Sequence, residues 1–316
     1  MKGFGGRQRT CRPLRKRSDQ CGSILMHRFV PWNSQPLEAW AEKYAEGRFI
    51  DLAGRRTHFI ERGRGRPVVL IHGFNLDHHS WIKNLDALAA HFKVYAPDLW
   101  GHGYSTREPI AYGYDLFEEQ IRLFLDALDI QSASLIGHSM GGGTSIVLGL
   151  RHPDRVDKLV LVDASGIPTR LPFQAKIFRL KGVAEFLLSL PTDRIRRMNL
   201  ADIWIHDRGA LTEDIYRNLM GFQKIEGTTQ ALLAILRADF FNTLEAEIKA
   251  LGGSGIPTMI IWGREDAALP VGNAKTMKDF IPGSRLEILE KAGHLANFDQ
   301  ADTFNELVID FLNSAA

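Results

Sequence analysis

Short apolar stretches alternate along this chain with segments whose apolar residues recur at helical spacing. A strand that is apolar on both faces must be covered on both faces, which is typical of a parallel sheet between helices. We therefore predict an α/β fold built on a mostly parallel sheet. A hairpin at Ala53-Gly54 joins the first two predicted strands. The predicted strands are 48–52, 57–61, 68–71, 94–96, 133–136, 159–162, 258–262 and 285–289.

The strand rhythm stops between residues 167 and 248, where only helical patterns are evident. A segment of this length is too long for a loop, and we predict a helical cap, or lid, over the ends of the strands. Residues 26–166 and 249–316 then form the core domain. The predicted helices are 36–46, 80–92, 116–128, 173–190, 212–222, 230–239 and 304–312, with a further helical pattern through 146–150.

The composition of the chain is unusual mainly in its first 25 residues. Residues 1–25 hold seven basic residues against Asp19 alone, have no periodicity, and are predicted to be a disordered leader. Its apolar piece is too short for a signal peptide, and Met26 is a candidate natural start that N-terminal sequencing would test. Both cysteines, Cys11 and Cys21, lie in this leader, so the body has no thiolate chemistry.

The body has ordinary globular composition, with a hydrophobic fraction of 45% and a charged fraction of 24% for the whole chain. No apolar run approaches the length needed to span a bilayer. The charge balance of the body does not favour nucleic acid or an anionic membrane as a partner. We expect a cytoplasmic protein that acts on a small molecule, and the sequence leaves its oligomeric state open.

The strand at 133–136 runs into Gly137-His138-Ser139-Met140-Gly141, and a helical pattern follows. Gly-x-Ser-x-Gly between a strand and a helix is the signature of a nucleophile elbow. A side chain held on so tight a turn brings backbone segments close together, and Gly137 and Gly141 provide the room. Ser139 would then be held at a helix N-terminus, where developing negative charge is favoured.

Two further polar residues follow predicted strands. Asp266 comes after 258–262, and His294 comes after 285–289. The carboxyl ends of parallel strands meet at one edge of the sheet, and ligands bind outside that edge. We therefore expect Ser139, Asp266 and His294 to lie together.

Five short motifs follow predicted strands in order and extend over most of 54–312. They are His72-Gly73, Asp98-x-x-Gly101-x-Gly103-x-Ser105, Gly137-x-Ser139-x-Gly141-Gly142, Trp262-Gly263-x-x-Asp266 and Gly293-His294. In this combination the chain resembles the α/β-hydrolase family, and within it the lid-bearing esterase and lipase-like branch. The resemblance implies a mostly parallel, eight-stranded sheet covered by helices on both faces, with a cap. The order nucleophile, acid, histidine also agrees with this family.

Ser139 is the predicted nucleophile and needs a base within hydrogen-bond reach. His294 is the best base, because its ordinary pKa suits taking a proton and returning it. Asp266 would hold the tautomer of His294 and stabilise its imidazolium. Asp163 and Glu265 are the rival acids, since some members of the family carry the acid at the position of Asp163.

The oxyanion hole is expected to use two backbone N–H groups, those of Phe74 and Met140. Histidines beside other motif glycines, among them His102, are assigned structural or pocket-lining roles, and Asp98 a turn-forming role. The predicted pocket residues are His72, Asn75, His138 and Trp100. We expect neither a cofactor nor a metal, because adjacent histidines cannot easily aim at one ion. The metal ligands considered and set aside are Asp77, His78, His79 and His102.

The three residues imply acyl transfer to water, and our first interpretation is a serine carboxylesterase for short- to medium-chain esters. Serine at 139 disfavours the family's haloalkane dehalogenases and epoxide hydrolases, which use aspartate there. A hydrolase of carbon–carbon bonds in ring-cleavage products is the main alternative. That group usually has Asn before the serine and Arg after the acid, where this chain has His138 and Ala267. A cofactor-free perhydrolase and a non-catalytic receptor on this fold remain further alternatives.

Overall fold

A computed structural model describes residues 29–169 and 173–314, and its centre is an eight-stranded sheet. The strand order is β1-β2-β4-β3-β5-β6-β7-β8, and β2 alone runs against the others. This confirms the predicted α/β fold. The strands are β1 Arg48–Leu52, β2 Arg55–Gly63, β3 Pro67–Ile71, β4 Lys93–Pro97, β5 Ala133–His138, β6 Val156–Val162, β7 Thr258–Gly263 and β8 Arg285–Leu289.

Helices cover both faces of the sheet. Successive residues of β5 show why, because Leu135 packs into the hydrophobic cluster on one face and Ile136 into the cluster on the other. The α-helices are α1 Leu37–Tyr44, α2 Leu85–Ala89, α3 Tyr114–Ala127, α4 Met140–Arg151, α5 Phe173–Phe178, α6 Val183–Ser189, α7 Arg194–Asn199, α8 Glu213–Met220, α9 Thr228–Ala238, α10 Glu245–Leu251, α11 Gly272–Phe280, α12 Ala296–Asp299 and α13 Ala301–Asn313.

Two of the predicted helices are wrong in extent. The segment predicted as one helix over 80–92 is a 3₁₀ turn, His78–Trp81, followed by the short α2. The junction is Asn84, whose side chain donates to the backbone oxygen of Asn297 and to the side chain of Asn305. The predicted helix over 173–190 is divided into α5 and α6, and Gly182 between them has a left-handed φ of 81°.

The described residues between β6 and β7 add no strand to the sheet. They form α5 to α10, two 3₁₀ turns, Arg208–Ala210 and Gly221–Lys224, and a π-helical turn, Leu200–Trp204. This segment packs on loops that leave the sheet: Leu200 and Leu219 share a hydrophobic cluster with Leu76 and Leu295. We keep the word cap for residues 167–248.

The predictions for the leader, Cys11, Cys21 and Met26 lie outside the described residues. Among the helices that are described, none combines the length and apolarity that a membrane-spanning helix needs.

Candidate active site

Ser139 lies on a sharp turn between β5 and α4. Its backbone has φ 51° and ψ −116°, a conformation that a non-glycine residue adopts only under strain. The neighbouring glycines are required by close packing. A Cβ on Gly137 would lie 2.4 Å from the Gly141 oxygen, and one on Gly141 would lie 2.2 Å from the Ile71 oxygen. The strained turn is therefore held by backbone contacts on both sides.

The structure brings Ser139, His294 and Asp266 together. The Nε2 atom of His294 is 3.0 Å from the Ser139 Oγ, and its Nδ1 atom is 2.8 Å from Asp266 Oδ2. The other carboxylate oxygen of Asp266 accepts the N–H groups of Ala268 and Leu269, each at 2.8 Å. These bonds hold the acid in place. The Nδ1–H donates to the acid, which leaves Nε2 as the acceptor for the serine hydroxyl.

The two rival acids are engaged elsewhere. Asp163 accepts the N–H groups of Gly263 at 2.7 Å and Ala296 at 3.2 Å. Burial, and then the charge of Asp266, raise the pKa of Asp163 well above its usual range. Glu265 accepts the Ala292 N–H at 3.0 Å. Asp266 is therefore the acid that the geometry joins to His294.

Three of the four predicted pocket residues are fully buried and lie outside the cavity lining. The Nε2 atom of His72 accepts the Leu99 N–H at 2.9 Å, and Trp100 donates to the Thr57 hydroxyl at 2.9 Å. His138 donates from Nε2 to the backbone oxygen of His294 at 2.6 Å. Burial lowers the pKa of both His72 and His138, so both stay neutral. Their polar atoms hold the loops together.

A cavity of about 210 Å³ opens above Ser139 and His294, between the sheet edge and the cap. The fourth predicted pocket residue, Asn75, does line it. Most of the lining is apolar and comes from the cap. The apolar lining residues are Phe74, Phe178, Leu188, Leu200, Ile203, Trp204, Met220, Leu232, Leu233, Leu236, Phe241, Ala268 and Leu269.

The backbone N–H groups of Phe74 and Met140, the predicted oxyanion donors, have no hydrogen-bond acceptor among the described residues. Met140 directly follows the serine and begins α4. Gly73 lies against the nucleophile, because a Cβ built on it would be 3.0 Å from the Ser139 Cβ. Both N–H groups are therefore available to a negatively charged oxygen bound to Ser139.

A second group of buried ionisable residues lies beneath the loop after β4. One oxygen of Asp98 accepts His58 Nδ1 at 2.8 Å, and the other accepts His78 Nδ1 at 2.9 Å. Burial works to lower the pKa of His58, but the Asp98 carboxylate outweighs it and the pKa is raised. Burial likewise opposes ionisation of Asp98, and His78 and His58 overcome it, which holds its pKa well below the usual range.

Among the described residues, two groups have metal-ligand geometry, and both contain His78, together with His58 and Asp98 or with Asp77 and His79. Asp77 accepts both the backbone N–H of His79, at 2.9 Å, and its Nδ1–H, at 3.0 Å. The Nδ1 atoms of His58 and His78 therefore bond to Asp98, and that of His79 bonds to Asp77, so these side chains fix the turn that begins at Asp77.

Sequence reasoning missed the five polar cap residues that line the cavity, which are Arg196, Asn199, Gln223, Thr229 and Asn242. Arg196 stands between other basic residues in α7, in a pattern typical of an exposed helix face. In the structure only 4% of its surface is exposed. No local signal in the sequence distinguishes it from its exposed neighbours.

A sequence profile described as alpha/beta hydrolase fold matches residues 66–301. The chain is 32% identical to the 2-hydroxymuconate semialdehyde hydrolase of Pseudomonas sp. (strain CF600) over 279 residues, which are 85% of this chain and 94% of that protein.

The chain is also similar to solved structures of hydrolases. The meta-cleavage product hydrolase of Pseudomonas fluorescens IP01 has a TM-score of 0.73 and 30% identity, covering 84% of this chain and 97% of its own. A thermophilic esterase from Thermogutta terrifontis has a TM-score of 0.71 and 24% identity, covering 85% and 98%. At that identity the second likeness concerns the fold alone.

Proposed function

The chain belongs to the α/β-hydrolase fold family, and on this premise we propose that it is a serine hydrolase that cleaves carboxylic esters. One observation carries the proposal. An unbroken hydrogen-bond chain runs from Asp266 through His294 to the Ser139 hydroxyl, which opens into an apolar cavity. This arrangement supplies an activated nucleophile, which is what acyl transfer requires.

In the first half of the reaction, His294 takes the hydroxyl proton as the Ser139 oxygen attacks the ester carbonyl. The carbonyl oxygen becomes negatively charged and is bound by the N–H groups of Phe74 and Met140. His294 then gives its proton to the departing alkoxide, and an alcohol leaves. Ser139 remains as an acyl ester.

In the second half, water replaces the alcohol. His294 takes a proton from the water, which attacks the acyl carbon, and then returns a proton to the Ser139 oxygen. A carboxylic acid leaves and the enzyme is restored. Asp266 accepts the Nδ1–H of His294 and stabilises the imidazolium at each step.

The cavity supports short- to medium-chain acyl groups as the substrates. Its lining is mostly apolar, and its volume of about 210 Å³ suits a small ligand. The cap covers the reacting groups, because the Trp204 ring centroid lies 5.3 Å from that of His294. We propose that the cap of 167–248 limits water access and sets acyl-chain length.

Hydrolysis of p-nitrophenyl butyrate tests this proposal. The wild type should release p-nitrophenol, and Ser139→Ala should reduce kcat by about a thousandfold or more. Asp163→Asn is a control for the acid and should keep far more activity than Asp266→Asn. A wild type that turns over no activated ester of any chain length would contradict the proposal.

A second candidate is a hydrolase of carbon–carbon bonds. It is favoured by the relative of 32% identity named as a 2-hydroxymuconate semialdehyde hydrolase, which this chain matches over 94% of its length. The same nucleophile, base and oxyanion donors could serve this reaction. Turnover of 2-hydroxymuconate semialdehyde at a kcat/KM above that for p-nitrophenyl butyrate would favour this candidate over the esterase.

A further inference from the structure

A chain of three polar side chains crosses the wall of the cavity. Arg196 Nε donates to Gln223 Oε1 at 2.6 Å, and Gln223 Nε2 donates to Asn75 Oδ1 at 2.8 Å. All three residues line the cavity that holds Ser139. Asn75 follows Phe74, so the chain ends beside a proposed oxyanion donor.

The arginine fixes the direction of every bond in this chain. A guanidinium only donates, so the Gln223 oxygen must face Arg196 and its nitrogen must face away. Asn75 must then turn its oxygen toward Gln223. The amide nitrogen of Asn75 donates to no described residue, and this half-buried side chain presents it to the cavity.

Arg196 is also a buried cation that forms no ion pair with a described residue. Its Nη2 donates to the Leu188 oxygen at 3.0 Å, and its Nη1 has no partner among the described residues. Asp193 acts on it only at longer range, and burial lowers the pKa of Arg196 to about 10, so it stays charged at neutral pH.

A second cation lies close by. Arg196 and Lys224 both contact the ring of Trp32, with distances of 3.9 Å and 3.1 Å to its centroid. Arg196 therefore places a positive charge in this wall of the cavity, in low-dielectric surroundings, and Lys224 adds to it from outside the lining, where burial lowers its pKa to about 8. An anion bound there would be stabilised, because the attraction is weakly screened.

We propose that the Arg196–Gln223–Asn75 chain receives a carboxylate on the substrate. The Asn75 amide donates to it directly, and Gln223 transmits the fixed orientation from Arg196. The substrates would then be esters that carry a free carboxylate in addition to the scissile carbonyl. This inference rests on the proposed function and names its substrate class.

The test compares two esters of equal acyl length, mono-p-nitrophenyl adipate and p-nitrophenyl hexanoate, which differ in a terminal carboxylate. Gln223→Met removes the hydrogen bonds that link Arg196 to Asn75 without adding a charge. Gln223→Glu replaces the donor that faces Asn75 Oδ1 with an acceptor. Gln131→Glu is the matched control, because Gln131 is exposed and bonds only to surface groups. Substitution of Asn75 is avoided because its φ of 59° favours asparagine.

The expected readout is the ratio of kcat/KM for the acidic ester to that for the neutral ester. Gln223→Met should lower this ratio by about tenfold, since the amide nitrogen of Asn75 is no longer held toward the substrate carboxylate. Gln223→Glu should lower it further, because it turns the amide nitrogen of Asn75 away from the substrate carboxylate, whereas Gln131→Glu should leave both rates within about threefold of wild type. A ratio that stays at the wild-type value in both Gln223 variants would overturn the proposal.

A binding measurement separates this inference from the proposed function. In the Ser139→Ala background, calorimetry with monomethyl adipate and methyl hexanoate reports recognition without turnover. The acidic ester should bind more tightly, and adding Gln223→Met should remove the difference. Equal affinities in Ser139→Ala would contradict carboxylate recognition even if the wild type hydrolyses esters.

Discussion

At the scale of single residues, the site depends on positions where a side chain cannot be tolerated. Gly73 is the clearest case, because a Cβ there would lie 2.6 Å from His138 Nδ1 and 3.0 Å from the Ser139 Cβ. His138 in turn donates to the backbone of His294. A side chain at Gly73 would therefore disturb the nucleophile and the base together.

Gly73→Ala should reduce kcat/KM for p-nitrophenyl butyrate by about a hundredfold, because the reacting groups are displaced by a fraction of an ångström to an ångström. Circular dichroism should show a folded protein. Gly272→Ala is the matched control, since a Cβ at Gly272 meets nothing within 4 Å. Equal activity in the two variants would contradict the packing argument.

The buried pair of His58 and Asp98 makes stability depend on pH. The pKa of Asp98 is lower in the folded protein than its usual value of 3.8. Asp98 therefore stabilises the folded state above pH 3.8, and this stabilisation is lost as the pH falls through the pKa of the folded state. The pKa of His58 is higher in the folded protein than its usual value of 6.5. His58 therefore stabilises the folded state below pH 6.5, and this stabilisation is lost as the pH rises through the pKa of the folded state.

His58→Gln should therefore lower the free energy of unfolding most between about pH 3.8 and 6.5, by about 1.5–3 kcal/mol, and less at pH 9. Urea denaturation at several pH values measures this difference. His91→Gln, at an exposed histidine, should show little change. A loss for His58→Gln that grows above pH 7 would have the wrong sign.

At the scale of elements, the strands could be predicted closely and the helices less so. Every predicted strand lies within an observed one. The central strands β3, β5, β6 and β7 are the clearest cases, because they are apolar runs buried on both faces of the sheet. The helix predicted over 80–92 failed because Asn84 bonds to Asn297 and Asn305, which are more than two hundred residues away. Such a contact leaves no trace in local periodicity.

The polar chain in the cavity could not be predicted for a similar reason. Asn75 was predicted as a pocket residue from its place after the third strand, but Gln223 and Arg196 come from separate helical turns of the cap. Their meeting depends on how the cap helices pack on one another. Helical spacing within each turn contains no information about that packing.

The π-helical turn Leu200–Trp204 brings the cap next to His294, the proposed general base. Its Trp204 oxygen accepts the Leu295 N–H at 2.8 Å, next to His294, and its ring stands edge-on to the imidazole. Trp204→Ala should lower kcat/KM by roughly tenfold, since water then reaches His294. Phe186→Ala, at an exposed position of α6, is the control and should leave kcat/KM unchanged. Equal kinetics in both variants would contradict the idea that Trp204 keeps water away from His294.

At the scale of the whole molecule, three residues distant in sequence meet because their strands are parallel. Ser139, Asp266 and His294 follow β5, β7 and β8, whose carboxyl ends share one edge of the sheet. This gathering was predictable, since it needs only strand order and direction. The cap then covers this edge, and its residues form most of the cavity lining.

The central claim is that Ser139 is an activated nucleophile, and fluorophosphonate labelling followed by peptide mass spectrometry tests it most directly. We predict one adduct per chain, on the peptide that contains Ser139, and slower labelling in His294→Gln. The Ser139→Ala variant should remain unlabelled. An unlabelled wild type, or an adduct on another residue that persists in Ser139→Ala, would contradict the account.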